Sequence, residues 1–153
     1  MKHALIAAAV FVFISPVAFA QSANVTVTQV AASGSGPTVT IDREIEGLRE
    51  SLVRKFAFSR YAFLSRRISR IASEESDTWS LANGQHMDIT FAGSESEGDE
   101  VLYTLSLEIY QRTEEGKRSI SKVTYKRTKG QPSLLGLGRM TSGENLVLVI
   151  TAD

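Results

Sequence analysis

The chain has 153 residues, and its 17 Lys and Arg side chains equal its 17 Asp and Glu side chains in number. This balance argues against a general nucleic-acid-binding protein, because the affinity of such proteins rests on a positive field. The chain contains no cysteine, which excludes cysteine nucleophiles, zinc–thiolate sites and iron–sulfur clusters.

Residues 1–20 have the layout of a secretory signal peptide. A short basic start precedes an unbroken apolar run of 11 residues, and Ala18 and Ala20 are small residues at the positions that signal peptidase reads. The apolar run is too short for a transmembrane helix, which needs about 20 residues. We expect cleavage near Ala20-Gln21 and a periplasmic or secreted mature chain without a transmembrane segment. An uncleaved N-terminal anchor is the alternative.

The mature chain has the size of one domain. Removing residues 1–20 leaves 133 residues, with 16 basic against 17 acidic side chains. β-branched residues over 25–30 predict a first strand, and a Gly/Ser/Pro run over 31–37 predicts a flexible loop. We therefore divide the mature chain into an N-terminal strand and flexible loop over 21–37 and a single β-rich globular domain over 38–153.

One substantial helix follows. Ile45, Leu48 and Leu52 recur at helical spacing and predict a helix over residues 43–55. Asp42 is the expected N-cap, because its carboxylate is able to accept the first free backbone N–H groups. Acidic residues in the first turn and basic residues in the last suit the helix dipole.

After the helix the hydrophobic period changes to that of strands. The predicted strand segments are residues 56–71 with a phase shift at 59–60, 79–81, 87–91, 101–109, 120–128 and 146–150. The odd-numbered side chains of 101–109 should face the core, and Val123 and Tyr125 should point inward from the next strand. The continuously apolar segment 146–150 should be buried on both faces or dock against the sheet.

The connections between these strands carry turn residues. Residues 73–77 predict a polar turn, 93–99 an acidic loop and 130–138 a Gly/Pro-rich connection. Asn83-Gly84 lies between two alternating runs and predicts a β-hairpin. In the type I′ turn that we expect there, both central residues have positive φ.

About seven short strands with one helix near the start predict a mainly β fold. We expect a small β-sandwich or partly open barrel, with the single N-terminal helix packed at an edge or end. The order of these features, with Phe-x-Phe-x-x-Tyr at 56–61 and Gln-Pro-x-Leu-x-Gly-x-Gly at 131–138, resembles that of small exported bacterial β-domains over residues 42–151. The resemblance implies an exported β-rich domain and brings no activity with it.

Catalytic groups are scarce in the mature chain. His86 is its one histidine, and with Asp88 it offers two ligands where a metal site usually needs more. Ser35 lies between glycines that lack the spacing of a nucleophile elbow. The acidic loop at 93–99 lacks the spacing of a high-affinity calcium loop, which leaves weak calcium binding as a minor alternative. We therefore predict no catalytic residue, no metal site and no cofactor.

The segment from Arg49 to Arg70 carries seven Lys and Arg and one acid, interleaved with aromatic residues. Guanidinium groups bind carboxylate and phosphate in a forked geometry. The candidate binding residues are Arg60, Arg66, Arg67 and Arg70. In a strand, Arg66 and Arg70 share one face and Arg67 takes the other. The alternative is that the aromatic side chains belong to the core and the arginines are their solvated reverse face.

The function that we expect is that of an exported, non-enzymatic envelope accessory or assembly domain. It would act through protein–protein contacts, because catalytic groups are scarce and the strand edges of a β-rich domain recruit other chains. The alternatives are a binding module for an anionic glycan, lipid headgroup or small ligand, and an enzyme with an unrecognised site. An envelope protein is the expected partner, an anionic glycan or lipid headgroup is the alternative partner, and no nucleic acid is expected.

Overall fold

The computed structural model describes residues 21–153, so the predicted signal peptide lies outside the described residues. In chain order the elements are β1 (Ser22–Ser33), β2 (Thr40–Ile41), a 3₁₀ segment (Arg43–Leu48), α1 (Arg49–Lys55), β3 (Arg60–Ala72), β4 (Ser76–Ser80), β5 (His86–Glu97), β6 (Glu100–Thr113), β7 (Gly116–Thr128), β8 (Ser133–Arg139) and β9 (Asn145–Ala152). Within this part of the chain, no helix has the length and apolar character needed to cross a membrane.

The strands form two sheets. The first sheet has the order β2-β3-β1-β9-β8 and the second has the order β4-β5-β6-β7. Neighbouring strands are antiparallel except for β2 and β3, which are parallel. The predicted fold class is confirmed, since residues 21–153 are mainly β with one helical segment, and their two sheets form a small β-sandwich. Residues 21–153 contain nine strands, and the two beyond the predicted seven are β2 and β8.

The main core lies between the two sheets. Leu105 and Leu107, on the odd-numbered face of β6, are buried as predicted. They belong to one cluster with Leu148 and Ile150 from β9 of the first sheet. Antiparallel strands that alternate in this way bury one face and leave the other in solvent, so the outer face of the second sheet is polar.

A second core lies on the outer face of the first sheet, beneath the helical segment. Ile45 and Leu52 from that segment are buried against Tyr61, Val147 and Val149 of the sheet. β9 therefore contributes even-numbered side chains to one core and odd-numbered side chains to the other. Its predicted burial on both faces is confirmed, and the helix lies over one end of the sheet.

Asp42 is the N-cap residue of the 3₁₀ segment, as predicted, but the predicted capping by its carboxylate is wrong. No side-chain hydrogen bond from Asp42 caps the 3₁₀ segment, and its Oδ2 accepts the backbone N–H of Phe63 at 2.8 Å. Asp42 N donates to Tyr61 O at 3.1 Å, so β2 is already paired with β3 at this point. The Asp42 carboxylate thus accepts the hydrogen bond that a carbonyl of β2 would accept if the strand continued. Phe63 N–H therefore has a partner although β2 has ended.

β8 was expected to be a connection, since its glycines obscure the strand pattern. Leu134 is nevertheless buried and Leu135 packs from the other side into the main core. A Cβ at Gly136 would lie 3.3 Å from Cε1 of Phe56. Glycine therefore permits the end of the helical segment to pack closely on β8.

The predicted hairpin at Asn83-Gly84 joins β4 to β5, but the type I′ turn is wrong. Gly84 has a φ of 81°, and the one non-glycine with positive φ among the described residues is Glu74. Leu81 N donates to Gln85 O at 2.9 Å, and Gly84 N donates to Leu81 O at 3.0 Å. The loop therefore needs one left-handed residue and not two.

Three other connections are shorter than predicted. β1 continues to Ser33, into the predicted flexible loop over 31–37. β4 begins at Ser76, inside the predicted polar turn, and β5 continues to Glu97, through most of the predicted acidic loop. The inward orientation of Tyr125 is confirmed, since it packs against the main core. The register places Val123 on the same face as Tyr125, opposite Leu107, but Val123 is 37% exposed because β7 is the last strand of the sheet.

Candidate functional site

The four arginines predicted as binding residues all lie on β3, yet they do not form one patch. The β1–β3 register places Arg66 and Arg70 on the outer face of the first sheet and Arg67 on the opposite side. Arg60 is exposed at the first position of β3, beyond a register shift in the same ladder. The predicted division of Arg66 and Arg70 from Arg67 is confirmed.

Arg66 connects the helical segment to the sheet. Its Nη2 donates to Glu44 O at 2.9 Å and its Nε donates to Thr28 Oγ1 at 3.2 Å. The guanidinium carbon lies 5.7 Å from the ring centroid of Phe63. These contacts give Arg66 a structural role at the edge of the second core.

Arg67 and Arg70 are also engaged by the chain itself. Arg67 Nη2 lies 3.1 Å from Asp77 Oδ2, and its guanidinium covers the Trp79 ring at 4.6 Å from the centroid. Arg70 Nε donates to Ser22 Oγ at 2.9 Å. Three of the four arginines thus have donors committed to neighbouring groups, which reduces what they offer to an external anion.

The aromatic residues near these arginines belong to the second core. Tyr61 is buried and its hydroxyl donates to Phe56 O at 3.0 Å. Burial raises the pKa of Tyr61 above the ordinary value of a tyrosine. Phe58 and Phe63 are partly buried against the same cluster. The interleaved pattern therefore arises from core packing on one side of β3.

An ion cluster lies on the outer face of the second sheet. Lys117 Nζ lies 2.8 Å from Asp88 Oδ2 and 2.7 Å from Glu108 Oε2. These hydrogen bonds, that to Asp88 first, raise the pKa of Lys117. The hydrogen bond from Lys117 is the largest cause of the lowered pKa of Glu108. Burial acts to raise the pKa of Asp88, but hydrogen bonds from Lys117, Thr78 and Tyr110 together lower it.

A row of hydroxyls crosses the same face beside the cluster. The register aligns one Ser or Thr from each strand of the second sheet, namely Ser76, Thr90, Ser106 and Thr124. They line a shallow groove of about 420 Å³ together with Asp88 and other residues. The hydroxyls bond to one another in pairs at 2.5 and 2.7 Å, so this groove is a satisfied polar surface.

β7 carries a dense run of positive charge that the sequence analysis did not single out as a binding surface. From Gly116 to Lys129 there are six basic residues and no acid, namely Lys117, Arg118, Lys122, Lys126, Arg127 and Lys129, and we call this set the basic edge. The signal was readable as a run of basic residues without acids. Its meaning depends on the position of β7 at the end of the second sheet, which sequence periodicity does not reveal.

Half of the basic edge is neutralised within the chain. Lys117 pairs as described above, Lys122 Nζ lies 3.3 Å from Glu108 Oε1, and Lys126 Nζ lies 2.6 Å from Glu95 Oε1. Among the described residues, Arg118, Arg127 and Lys129 have no ion-pair partner. These three cations leave the edge with a positive excess.

The β6–β7 ladder determines which backbone groups of β7 are free. Lys129 N donates to Val101 O at 2.9 Å, so these two residues form a hydrogen-bonded pair. Such pairs alternate with non-hydrogen-bonded pairs along an antiparallel ladder, and the register runs without a shift as far as Ser121. The N–H and C=O groups that point away from β6 are therefore those of Lys122, Thr124, Lys126 and Thr128. The carbonyl of Thr128 is not free, because it accepts the N–H of Gln131 at 3.0 Å.

The other sheet edges are short or covered. On β4, Arg67 Nη1 donates to Thr78 O at 3.3 Å and Gln29 Nε2 donates to Ser80 O at 3.2 Å. β2 has two residues and β8 has seven, with a register shift in its ladder. β7 has 13 residues, of which all but Tyr125 and Thr128 are exposed. It is the longest edge strand in the described part of the chain.

A cleft of about 400 Å³ extends the positive charge beyond β7. Arg127 lines it together with Arg54 and Lys55 from the C-terminal end of α1. Arg54 pairs with Glu50, while Lys55 has no ion-pair partner among residues 21–153. The cleft therefore adds a second free cation beside Arg127.

The chain was compared with models of protein families, with curated proteins and with solved structures. No match was found in any of the three.

The function is therefore inferred from the geometry of the described residues alone. Over residues 21–153 no group of three His, Asp or Glu side chains is placed to hold a metal ion. His86 and Asp88 share the outer face of β5 as expected, but Asp88 is held by Lys117 and His86 stacks on Tyr110 with centroids 5.6 Å apart. Chemically, the basic edge offers hydrogen-bonding backbone groups beside free cations.

Proposed function

We propose that this chain is an exported, non-enzymatic accessory domain of the cell envelope that acts by binding another protein. The observation that carries the proposal is the open edge of β7, where Lys122, Thr124 and Lys126 direct their N–H and C=O groups away from β6. Edges of this kind bind extended segments of other chains through main-chain hydrogen bonds. The remaining edges are shorter or are covered by side chains.

Binding of an anionic glycan or lipid headgroup by Arg60, Arg66, Arg67 and Arg70 is the alternative function. It has less support, because Arg66 and Arg67 already donate to groups of the chain itself. An enzyme with an unrecognised site stays a prediction without an observation in its favour.

Site-specific photo-crosslinking in cells that express the protein tests the proposal. A photoreactive amino acid replaces Ser121, which is exposed on β7, and in a second variant it replaces Ile68, which is 65% exposed between Arg66 and Arg70. We expect a crosslinked protein of larger mass from position 121 and none from position 68.

The two positions separate the two functions. A crosslink from position 68 alone would contradict β7 as the contact and favour the outer face of the first sheet. Loss of the crosslink at position 121 when Thr124→Pro is added would connect the contact to the free backbone edge, because proline removes an outward N–H group.

A further inference from the structure

Resting on this proposed function, we infer that the partner presents an extended, acidic segment that adds to β7 as a fifth strand of the second sheet. The juxtaposition of free backbone groups with free cations along one edge points to this ligand. An added strand forms main-chain hydrogen bonds with the edge, while its alternate side chains set the specificity.

The charge of the edge selects an acidic segment. Arg118, Arg127 and Lys129 have no ion-pair partner among the described residues. The register places Arg118 and Arg127 on the side of β7 that carries Val123, and the pairing of Lys129 with Val101 continues this side beyond the end of β7. Opposite charges on facing strands stabilise a pair, whereas like charges directly opposite each other destabilise it. Acidic side chains on this side of an added strand would meet free cations.

The cleft between β7 and α1 also favours an acidic partner. Arg127 and Lys55 line it together, so an acidic side chain near the end of the added strand would have two cations within the same cleft. Short charge-assisted contacts of this kind are stronger than neutral hydrogen bonds. The helical segment thus contributes to recognition although it lies outside the sheet that binds.

A second copy of the chain is a poor occupant of this edge. Pairing of β7 with β7 of another copy would bring two basic strands without acids side by side, and such like-charge pairs are destabilising. Pairing with β4 would need its covered carbonyls, which Arg67 and Gln29 already occupy. The edge is therefore protected against its own copies and remains open to an acidic chain.

One feature of β7 predicts where the added strand pairs. Arg127 Nη1 donates to Lys126 O at 3.2 Å, which occupies one lone pair of an outward carbonyl. Thr124 and Lys122 have their outward groups nearer the middle of the strand, beside the exposed Val123. An added strand with acidic residues at alternate positions would present them all on the side of the three cations, where a small apolar residue opposite Val123 would suit that side chain.

Fluorescence anisotropy with a defined probe tests the inference. The probe is a labelled synthetic peptide of alternating Glu and Val with the length of β7, and the control peptide has Lys in place of every Glu. We expect the acidic peptide to bind and the basic peptide not to bind. Binding should weaken as salt rises, because the cations of the edge are exposed.

Thr124→Pro tests the backbone contact. The substitution removes an N–H that points away from β6, so the ladder within the sheet is retained, and circular dichroism checks that the variant folds. We expect it to weaken acidic-peptide binding by about tenfold or more. The matched control is Ser106→Ala, which removes the hydroxyl bond between Ser106 and Thr124 without altering β7 and should leave binding unchanged.

A second variant keeps the inference testable if the proline variant fails to fold. Arg127→Gln with Lys129→Gln should weaken binding and flatten its dependence on salt, whereas Arg139→Gln, at an exposed position on β8, should change neither. Binding of the basic peptide with equal strength would overturn the inference, and so would acidic-peptide binding that the charge variant leaves unchanged.

Two further outcomes separate this inference from the proposed function. If an anionic polysaccharide such as polygalacturonate binds as tightly as the acidic peptide, and Thr124→Pro affects neither, strand addition is wrong and the edge is only a cationic surface. If the acidic peptide fails to bind while crosslinking from position 121 persists, the acidic partner is wrong and the proposed function stands. Absence of both acidic-peptide binding and the crosslink from position 121 would contradict the proposed function as well.

Discussion

Asp42 shows how one carboxylate ends a short edge strand. β2 pairs with β3 over two residues, and beyond Ile41 the chain turns into the 3₁₀ segment. Asp42 Oδ2 accepts the N–H of Phe63 at 2.8 Å where a further β2 carbonyl would otherwise be needed. The expected N-cap hydrogen bond is lost because the same carboxylate is used across the sheet.

Replacing Asp42 tests this role. Asp42→Ala should lower the free energy of unfolding by about 1–3 kcal/mol, because it leaves a partly buried N–H group without its acceptor. Asp42→Asn keeps an acceptor oxygen and should cost clearly less. Urea denaturation of both variants measures the difference, and an alanine variant as stable as the original chain would show that the contact contributes nothing.

Lys117 gives the fold a dependence on pH. The lowered pKa values of Asp88 and Glu108 contribute stability above the unfolded-state values of about 4, and this contribution is lost as pH falls through the folded-state values. The raised pKa of Lys117 contributes below its unfolded-state value of about 10 and is lost only at higher pH. Near neutral pH both contributions are present.

Lys117→Met should therefore lower the melting temperature at pH 7, and the difference from the original chain should shrink at about pH 3. As pH falls through the lowered folded-state pKa values of Asp88 and Glu108, the two carboxylates become protonated and less of their interaction with Lys117 is left to remove. Thermal unfolding at the two pH values measures this, with Lys129→Met as the control at a cation without an ion-pair partner among the described residues. A difference in melting temperature that stays constant with pH would contradict the role of the Lys117 ion pairs in the pH dependence.

The loop between β4 and β5 depends on a single left-handed residue. Gly84 has a φ of 81°, and a Cβ built there meets no atom within 4 Å, so backbone strain is the main cost of a substitution. Gly84→Val should lower the free energy of unfolding by about 1 kcal/mol or more. Gly36→Val is the matched control, since Gly36 lacks a positive φ and its Cβ space is also open. Chemical denaturation measures both variants, and an equal loss of unfolding free energy at the two positions would show that backbone strain at Gly84 is not the cause.

Regular alternation allowed some elements to be predicted and not others. β6 was predicted from its alternating apolar residues and β9 from its continuous apolar run, and the burial of Leu105 and of Leu148 follows from these two patterns. β8 was missed because Gly136 replaces an apolar residue where the helical segment packs closely. Loop details depend on competition between contacts, as at Asp42, whose carboxylate is used by Phe63.

The same reasoning explains how much of the candidate site could be predicted. The separation of Arg66 from Arg67 follows from strand geometry alone. The contacts that occupy these arginines do not, because Glu44 O and Asp77 come from distant parts of the chain. The charge of the basic edge can be read from the sequence, but strand order is a property of the whole fold. Only that order leaves β7 without an outer neighbour among residues 21–153.

At the scale of the whole molecule, two sheets and one helical segment leave one long edge open. The helical segment covers part of the first sheet, and its end brings Lys55 to the same cleft as Arg127. Side chains from β1 and β3 cover the β4 edge at the other end of the second sheet. The sandwich therefore presents its free backbone groups and its free cations on the same side.

Residue-resolved amide hydrogen exchange tests this central claim most directly. In the free protein, the N–H groups of Val123, Tyr125 and Arg127 should exchange slowly because they bond to β6, and those of Thr124 and Lys126 should exchange fast. Saturation with the acidic peptide should slow exchange at Thr124 and Lys126. Slow exchange at these two residues in the free protein would mean that the edge is already paired, and fast exchange in the saturated complex would contradict strand addition at β7.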